Sequence, residues 1–127
     1  MRGKVISIVV TLPLLLVFGI LCMLYVYRVS QAGIESAKRI EAMVEAGETE
    51  EALEEARALE AMWEKNEPLL ELWVCHADTD EVRKKLLLAV LGLETNNRGI
   101  TLENVALLQE AFEHLHHRDD ITWANVL

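Results

Sequence analysis

The sequence predicts an all-α protein in which a single N-terminal transmembrane helix precedes a small antiparallel four-helix bundle. Three observations lead to this prediction. The 127 residues include only six glycines and two prolines while 52% are hydrophobic, a composition typical of helical proteins. A long uncharged stretch lies near the N-terminus, and the apolar residues after it recur at helical spacing without the alternation that strands show.

The membrane helix is predicted from the positions of the charges. Between Lys4 and Arg28 lie 23 residues without a charged side chain. As a helix, residues 5–27 would span roughly 34 Å, enough for a hydrocarbon core of about 30 Å. Tyr25 and Tyr27 close the stretch, where aromatic rings favour the headgroup level. We therefore divide the chain into an anchor, residues 1–28, and an acidic helical domain, residues 29–127.

Processing and orientation of the anchor follow from its flanks. The apolar run exceeds the roughly 7–15 residues of a signal peptide, which favours an uncleaved signal anchor, although the small residues around Ala32 leave cleavage after that position open. Basic residues flank both ends almost equally. Since no N-terminal domain needs to cross the membrane, we predict the N-terminus inside and the acidic domain outside, as a single-pass protein of a bacterial cell membrane.

The first two helices of the acidic domain are predicted from apolar stripes. The first stripe continues the membrane helix, Gly47 is expected to end it, and Thr49 is expected to cap the second helix. The stripes are Ile34, Ala37, Ile40 and Val44 in the first helix, and Ala52, Ala56, Leu59 and Trp63 in the second.

The last two helices are predicted in the same way. Pro68 is expected in the first turn of the third helix, where a residue without a backbone N–H loses no helical hydrogen bond. The turn cluster at residues 96–99 precedes a fourth helix that Thr101 is expected to cap. The stripes are Leu72, Cys75, Val82, Leu86, Val90 and Leu93 in the third helix, and Val105, Leu108, Phe112 and Leu115 in the fourth. The apolar C-terminal residues 121–127 are expected to pack on the bundle.

Two groups of polar residues are candidate ligand sites. His76 and Asp80 lie four residues apart, so on a helix they share a face on which a cation could bind. The structural alternative, which we prefer, pairs Asp80 with Lys84. The second group contains His116 and Asp119, a loose candidate for a single transition metal. Chance clustering near a helix C-terminus explains that group more simply.

No set of catalytic residues is present in the sequence. Cys75 and His76 are adjacent, so on a helix their side chains diverge and cannot form a nucleophile–base pair. Phosphate-binding glycine loops, Cys-x-x-Cys and His-Glu-x-x-His are absent from the sequence. Cys22 and Cys75 are too differently placed to form a disulfide within one chain, and Cys75 is expected to be a small core residue. We predict no enzyme activity, no cofactor and no metal.

The charge of the chain limits its partners. The formal net charge is -9 and the pI is about 4.9, which excludes a nucleic-acid binder because phosphate neutralisation needs excess Lys and Arg. Membrane lipid is expected to contact residues 5–27. A second membrane or envelope protein is the expected partner of the helical domain, with self-association left open.

A resemblance to a known family rests on two segments of the sequence. They are Trp73 to Val82, which reads Trp-Val-Cys-His-Ala-Asp-Thr-Asp-Glu-Val, and the C-terminal Thr122–Leu127. The chain resembles a family of small bacterial membrane-anchored proteins, mostly from Gram-positive spore-forming lineages, catalogued as domain of unknown function 4363. The positions that fit the family pattern are His76, Asp80, Val82, Asn125, Val126 and Leu127. The resemblance implies a membrane protein with a helical extracytoplasmic domain, and it implies no activity.

Together these features predict a non-enzymatic, membrane-tethered interaction or structural module. Trp73 and Trp123 are its candidate interaction surface, because aromatic side chains outside a core often mark interfaces. The alternative is a helical bundle that senses a small ligand or a metal through His76 and Asp80 together with His116 and Asp119.

Overall fold

A computed structural model describes the backbone of residues 2–126 and the side chains of residues 2–115. Within that range the chain forms four helices and no strand: α1 (Arg2–Glu45), α2 (Thr49–Leu70), α3 (His76–Glu94) and α4 (Arg98–Val126). α1 packs on α2 and α4, and α3 packs on the same two helices. Because the connecting turns are short, successive helices run antiparallel. The predicted antiparallel four-helix bundle is confirmed.

The first helix belongs to the bundle along only part of its length. α1 has 44 residues, which makes it about 66 Å long at 1.5 Å per residue. Its side chains from Arg2 to Phe18 are exposed, whereas a buried stripe begins at Val26 and ends at Val44. By length and composition α1 is able to cross a membrane, and none of its most apolar window is buried in the protein. The helix continues without a break from this apolar part into the bundle.

The turn between α1 and α2 follows the sequence prediction at Gly47. This residue has a φ of +80°, a left-handed conformation that glycine adopts without the steric cost of a Cβ. The amide of Glu48 donates to the carbonyl of Met43 at 2.8 Å, and that of Gly47 donates to Val44 at 3.1 Å. These bonds close the helix in a Schellman-type ending. The predicted cap is wrong, because α2 already includes Thr49 and the N-cap residue is Glu48, without a side-chain cap hydrogen bond.

The boundary between α2 and α3 differs from the prediction. Pro68 lies in the last turn of α2 and does not start the third helix. Leu70, two residues after the proline, is fully buried, and its packing stabilises the last turn despite the hydrogen bond that a proline loses. The chain then makes a turn, and α3 begins only at His76. Leu72 and Cys75, expected on the buried stripe of the third helix, are exposed in this turn.

The turn between α3 and α4 contains the predicted asparagines but a different cap. Asn96 adopts a φ of 53°, and the Asn97 side-chain oxygen accepts a hydrogen bond from the amide of Ile100 at 3.1 Å. Asn97 therefore caps α4, and the prediction of Thr101 as the cap is wrong. Thr101 lies inside the helix, 1% exposed, where a Cβ added to Gly92 would come within 2.5 Å of its hydroxyl oxygen. The two helices meet at this glycine.

The core lies between all four helices and is centred on two aromatic rings. Trp63 of α2 and Phe112 of α4 are buried, with centroids 5.7 Å apart at 78°, the edge-to-face geometry that aromatic pairs favour. Phe112 also covers Gly33 of α1, where an added Cβ would lie 2.4 Å from the ring. Other fully buried side chains, from all four helices, are Ile40, Leu70, Leu86, Leu108 and Leu115. The predicted stripes outside residues 72–75 are confirmed as core.

Candidate functional site

A cluster of charged side chains surrounds Arg83 where α2 and α3 meet. The Arg83 guanidinium forms ion pairs with Glu67, with Glu71 at 3.6 Å and with Asp80 at 3.1 Å. His76 Nδ1 lies 3.4 Å from Glu71 Oε1. Glu67 is buried, and an unpaired carboxylate there would be costly, so Arg83 compensates for its burial.

This cluster places the candidate ligands His76 and Asp80 beside different partners. Asp80 accepts a hydrogen bond from Arg83, three residues along α3, rather than from Lys84 as predicted. His76 is highly exposed and faces Glu71. Among the side chains that the structure describes, no group of three or more His, Cys, Asp or Glu residues could hold a metal ion. The other candidates, His116 and Asp119, lie outside the described side chains.

A set of exposed leucines lies on α3 outside its buried stripe. Leu87 is 51% exposed, Leu88 40% and Leu91 51%. We call these three residues the leucine face. Leu87 also borders a cleft of about 350 Å³ between α2 and α3 that Glu60, Glu64 and Arg83 line together with Trp63, Glu67 and Leu86. The leucine face is therefore apolar and has an acidic margin on its α2 side.

A second exposed apolar set lies at the turn between α2 and α3. It consists of Leu69, Leu72 and Trp73, each at least 44% exposed, and we call it the bundle tip. The Trp73 ring packs edge-on against Phe18 of α1 at a centroid distance of 5.3 Å. Trp73 is therefore exposed, its role in an interaction surface stays a prediction, and its companion Trp123 lies outside the described side chains.

The two cysteines are both free, and Cys75 is exposed. The prediction that Cys75 is a core residue is wrong, because it is the N-cap residue of α3 and its backbone is extended. Helical spacing from Val82 predicted a buried position for Cys75. Because Cys75 precedes the first residue of α3, that spacing does not apply to it. Cys22 is half-buried on α1.

A polar contact joins α1 to α2 in the middle of the bundle. Glu55 accepts hydrogen bonds from the Ser36 hydroxyl at 2.8 Å and from two guanidinium nitrogens of Arg39 at 2.7 and 3.1 Å. Burial would by itself raise the pKa of Glu55, but the hydrogen bonds from Arg39 and Ser36 and the charge of Arg39 outweigh it. The pKa of this carboxyl therefore lies below its ordinary value of 4.5.

This contact predicts an acid-dependent loss of stability. Because the folded protein holds the pKa of Glu55 below 4.5, the stabilisation is present above that pH and is lost as the pH falls through the folded-state pKa. We expect Glu55→Gln to remove this part of the pH dependence. The measurement is thermal unfolding of the full chain in detergent micelles at neutral pH and at several pH values below 4.5.

The matched control is Glu54→Gln, at the exposed neighbouring position on the same helix. This variant should retain the acid sensitivity of the parent protein, which reflects all carboxylates together. Equal pH profiles for the Glu55→Gln variant and the parent protein would contradict the assigned role of the contact.

Sequence reasoning missed both Arg83 and the leucine face. Asp80 is a local partner of Arg83 at i−3, but Glu67 lies on α2 and Glu71 in the turn after it, and no spacing within α3 indicates those contacts. The leucine face had a signal, since residues 86–88 are three consecutive leucines of which one helix face can bury only part.

Comparison with known families gives one result. The family model described as Domain of unknown function (DUF4363) matches residues 20–126, which cover the end of the apolar segment and the whole bundle. The resemblance drawn from the sequence is confirmed. No curated protein and no solved structure matches the chain.

Proposed function

The chain belongs to the family described as Domain of unknown function (DUF4363), and we propose that it is a non-enzymatic, membrane-tethered interaction module. In this proposal the apolar half of α1 anchors the chain in a bacterial cell membrane, and the bundle presents the leucine face to another membrane or envelope protein. The bundle lies on the extracytoplasmic side.

The leucine face is the observation that carries the proposal. A helix at the surface of a bundle buries one stripe and exposes a polar face to water, yet α3 has leucines on both sides. Leu86 is 2% exposed and completes the core, whereas Leu87 and Leu91, each 51% exposed, point away from it. Contiguous exposed apolar side chains of this kind are typical of interaction sites.

The charge around this face specifies the chemistry of the partner. Residues 29–127 contain 21 acidic and nine basic side chains, and Glu60 and Glu64 line the cleft beside Leu87. Lys84, exposed one turn before Leu88 on the same side of α3, adds a positive charge at another margin. A partner that places apolar side chains on the leucine face, basic ones towards Glu60 and Glu64 and an acidic one towards Lys84 would match these features. Such a surface also discourages contact with anionic lipid headgroups.

The proposal is tested by photo-crosslinking from Leu91 in native membranes. With a photoreactive amino acid at this position of the full chain, we expect one defined heterologous adduct. Adding Leu87→Glu should abolish the adduct without unfolding the bundle, because the side chain is at the surface and such substitutions usually change stability by about 0.5 kcal/mol or less. The same photoreactive group at Lys65, exposed on α2, is the matched control.

Two results would contradict the proposal. An adduct pattern at Leu91 that equals the pattern at Lys65, or that survives Leu87→Glu, would show that the leucine face binds no specific partner. An adduct of two copies of this chain would show that the face mediates self-association instead.

A further inference from the structure

The bundle tip lies beside the apolar part of α1, on the N-terminal side of Tyr25. The Tyr25 hydroxyl donates to the side-chain oxygen of Asn66 at 2.5 Å, which fixes the level of α2 on α1. Beyond Asn66 the chain continues towards the N-terminal end of α1, and Trp73 meets Phe18. Phe18 precedes Tyr25 by seven residues, so the tip reaches about 10 Å past the tyrosine along the helix axis.

If α1 spans a membrane, the position of the tip beside Phe18 does not allow the whole bundle to stay in water. If the membrane ended before Phe18, residues 5–17 alone would cross it, and they span only about 20 Å as a helix. The hydrocarbon core is about 30 Å thick. A span of the required length, such as residues 5–24, places Phe18 and the ring of Trp73 about 9 Å inside the hydrocarbon boundary.

The side chains of the tip suit such a position. Leu69 is 49% exposed, Leu72 69% and Trp73 44%, and they adjoin an apolar helix segment whose side chains are also exposed. Burying these groups in lipid removes them from water, at about 25 cal/mol per Å² of apolar surface. The surface is therefore continuous with the apolar segment of α1.

The first part of the turn satisfies its backbone amides without water. Its amides donate within the turn: Leu72 to the Leu69 carbonyl at 3.3 Å, and Trp73 and Val74 to the Leu70 carbonyl at 3.0 and 2.8 Å. Unsatisfied backbone groups are what exclude irregular chain from hydrocarbon. The charged Glu71 next to the tip has an ion-pair partner in Arg83 at 3.6 Å, which offsets part of the cost of bringing its carboxylate close to hydrocarbon.

From these observations we infer that the bundle tip is a second membrane contact, in which Leu69, Leu72 and Trp73 insert into the lipid leaflet beside the anchor helix. The contact rests on the proposed anchoring by α1 and adds a lipid-binding surface on the bundle itself. It holds the bundle against the membrane rather than at the end of a free stalk.

The test is tryptophan quenching by bromine in lipid vesicles. Substituting Trp63→Phe and Trp123→Phe in the full chain leaves Trp73 as the only indole, and the protein is inserted into phosphatidylcholine vesicles with acyl chains brominated near the headgroup. We expect Trp73 to lose most of its fluorescence relative to unbrominated vesicles. A chain in which Trp63 is the only indole should lose none, because this residue is buried in the bundle.

A third variant distinguishes failure of the tip contact from failure of the membrane anchor on which the contact rests. It carries Leu12→Trp as its only indole, in the middle of the apolar segment, and is measured in vesicles whose acyl chains are brominated near their ends, at the depth where this indole is expected. Quenching at Leu12→Trp without quenching at Trp73 would overturn the tip contact and leave the anchor intact. Absence of quenching at both positions would overturn the anchor and the tip contact together.

A second measurement covers the case in which the Trp63→Phe variants fail to fold. The starting variant keeps the native tryptophans and carries Cys22→Ser and Cys75→Ser, so that Leu72→Cys adds the single thiol. This thiol is labelled with a water-soluble maleimide in vesicles, and the labelling is compared with that of the same variant in detergent-free urea. We expect labelling to be lost in vesicles at Leu72→Cys but retained at Ala61→Cys, on the exposed side of α2. Equal labelling of both positions in vesicles would overturn the tip contact.

Discussion

Replacing Trp63 with alanine is expected to lower the free energy of unfolding of the bundle by about 3–5 kcal/mol. Trp63 is 1% exposed and contacts the ring of Phe112, which in turn covers Gly33. The substitution would leave a cavity where α1, α2 and α4 meet. Since small domains are stable by only about 5–15 kcal/mol, the loss should be visible as a large decrease in the melting temperature, followed by circular dichroism of the full chain in detergent micelles.

Trp73→Ala provides the matched control for this prediction, because it removes the same side chain from an exposed position. In micelles it should cost about 1 kcal/mol or less, as is usual for surface substitutions. Similar losses for the two variants would contradict the assignment of Trp63 to the centre of the core.

The second large effect is expected from charges in the apolar part of α1. Leu15→Arg combined with Leu16→Arg places two guanidinium groups in the middle of residues 5–27, where each costs about 2.5–3.5 kcal/mol for membrane insertion. Both native side chains are exposed and do not contribute to the bundle core. We therefore expect the chain to leave the carbonate-resistant membrane fraction while its bundle stays folded. Fractionation followed by immunoblotting measures the change.

The control adds the same charges outside the apolar segment. Ala58→Arg with Ala61→Arg changes two exposed positions of α2 and should leave the chain in the membrane fraction. If the Leu15→Arg, Leu16→Arg chain remained in the carbonate-resistant fraction, the proposal that residues 5–27 anchor the chain in a membrane would be wrong. The proposed localisation of the module would then be wrong as well.

Most of the fold could be predicted because it depends on local patterns. The apolar stripes on α1, α2 and α4 follow the helical period, and Gly47 and Asn96 adopt the left-handed backbone that their positions in a turn suggest. The errors are all at helix ends. Pro68 and Thr101 are residues that commonly start helices, but burial of Leu70 extends α2 past the proline, and Asn97 caps α4 one turn before Thr101.

Less of the candidate site could be predicted, because its contacts join separate helices. From their spacing, His76 and Asp80 were weighed as a shared cation site, and the preferred interpretation paired Asp80 with Lys84. Their nearest charged partners are instead Glu71 and Arg83. The contact of Trp73 with Phe18 depends on where the turn after α2 meets α1. That position follows from helix length and packing level, and neither is encoded in a short motif.

The unbroken course of α1 has a mechanical consequence. From Leu14, just after Pro13, α1 continues without a further proline to Glu45, over about 48 Å. This part connects the apolar segment to the interior of the bundle, where Gly33 packs against Phe112. With the apolar segment in a membrane, as proposed, a thinner or thicker bilayer that changes the tilt of this continuous part of α1 would change the orientation of the bundle with it.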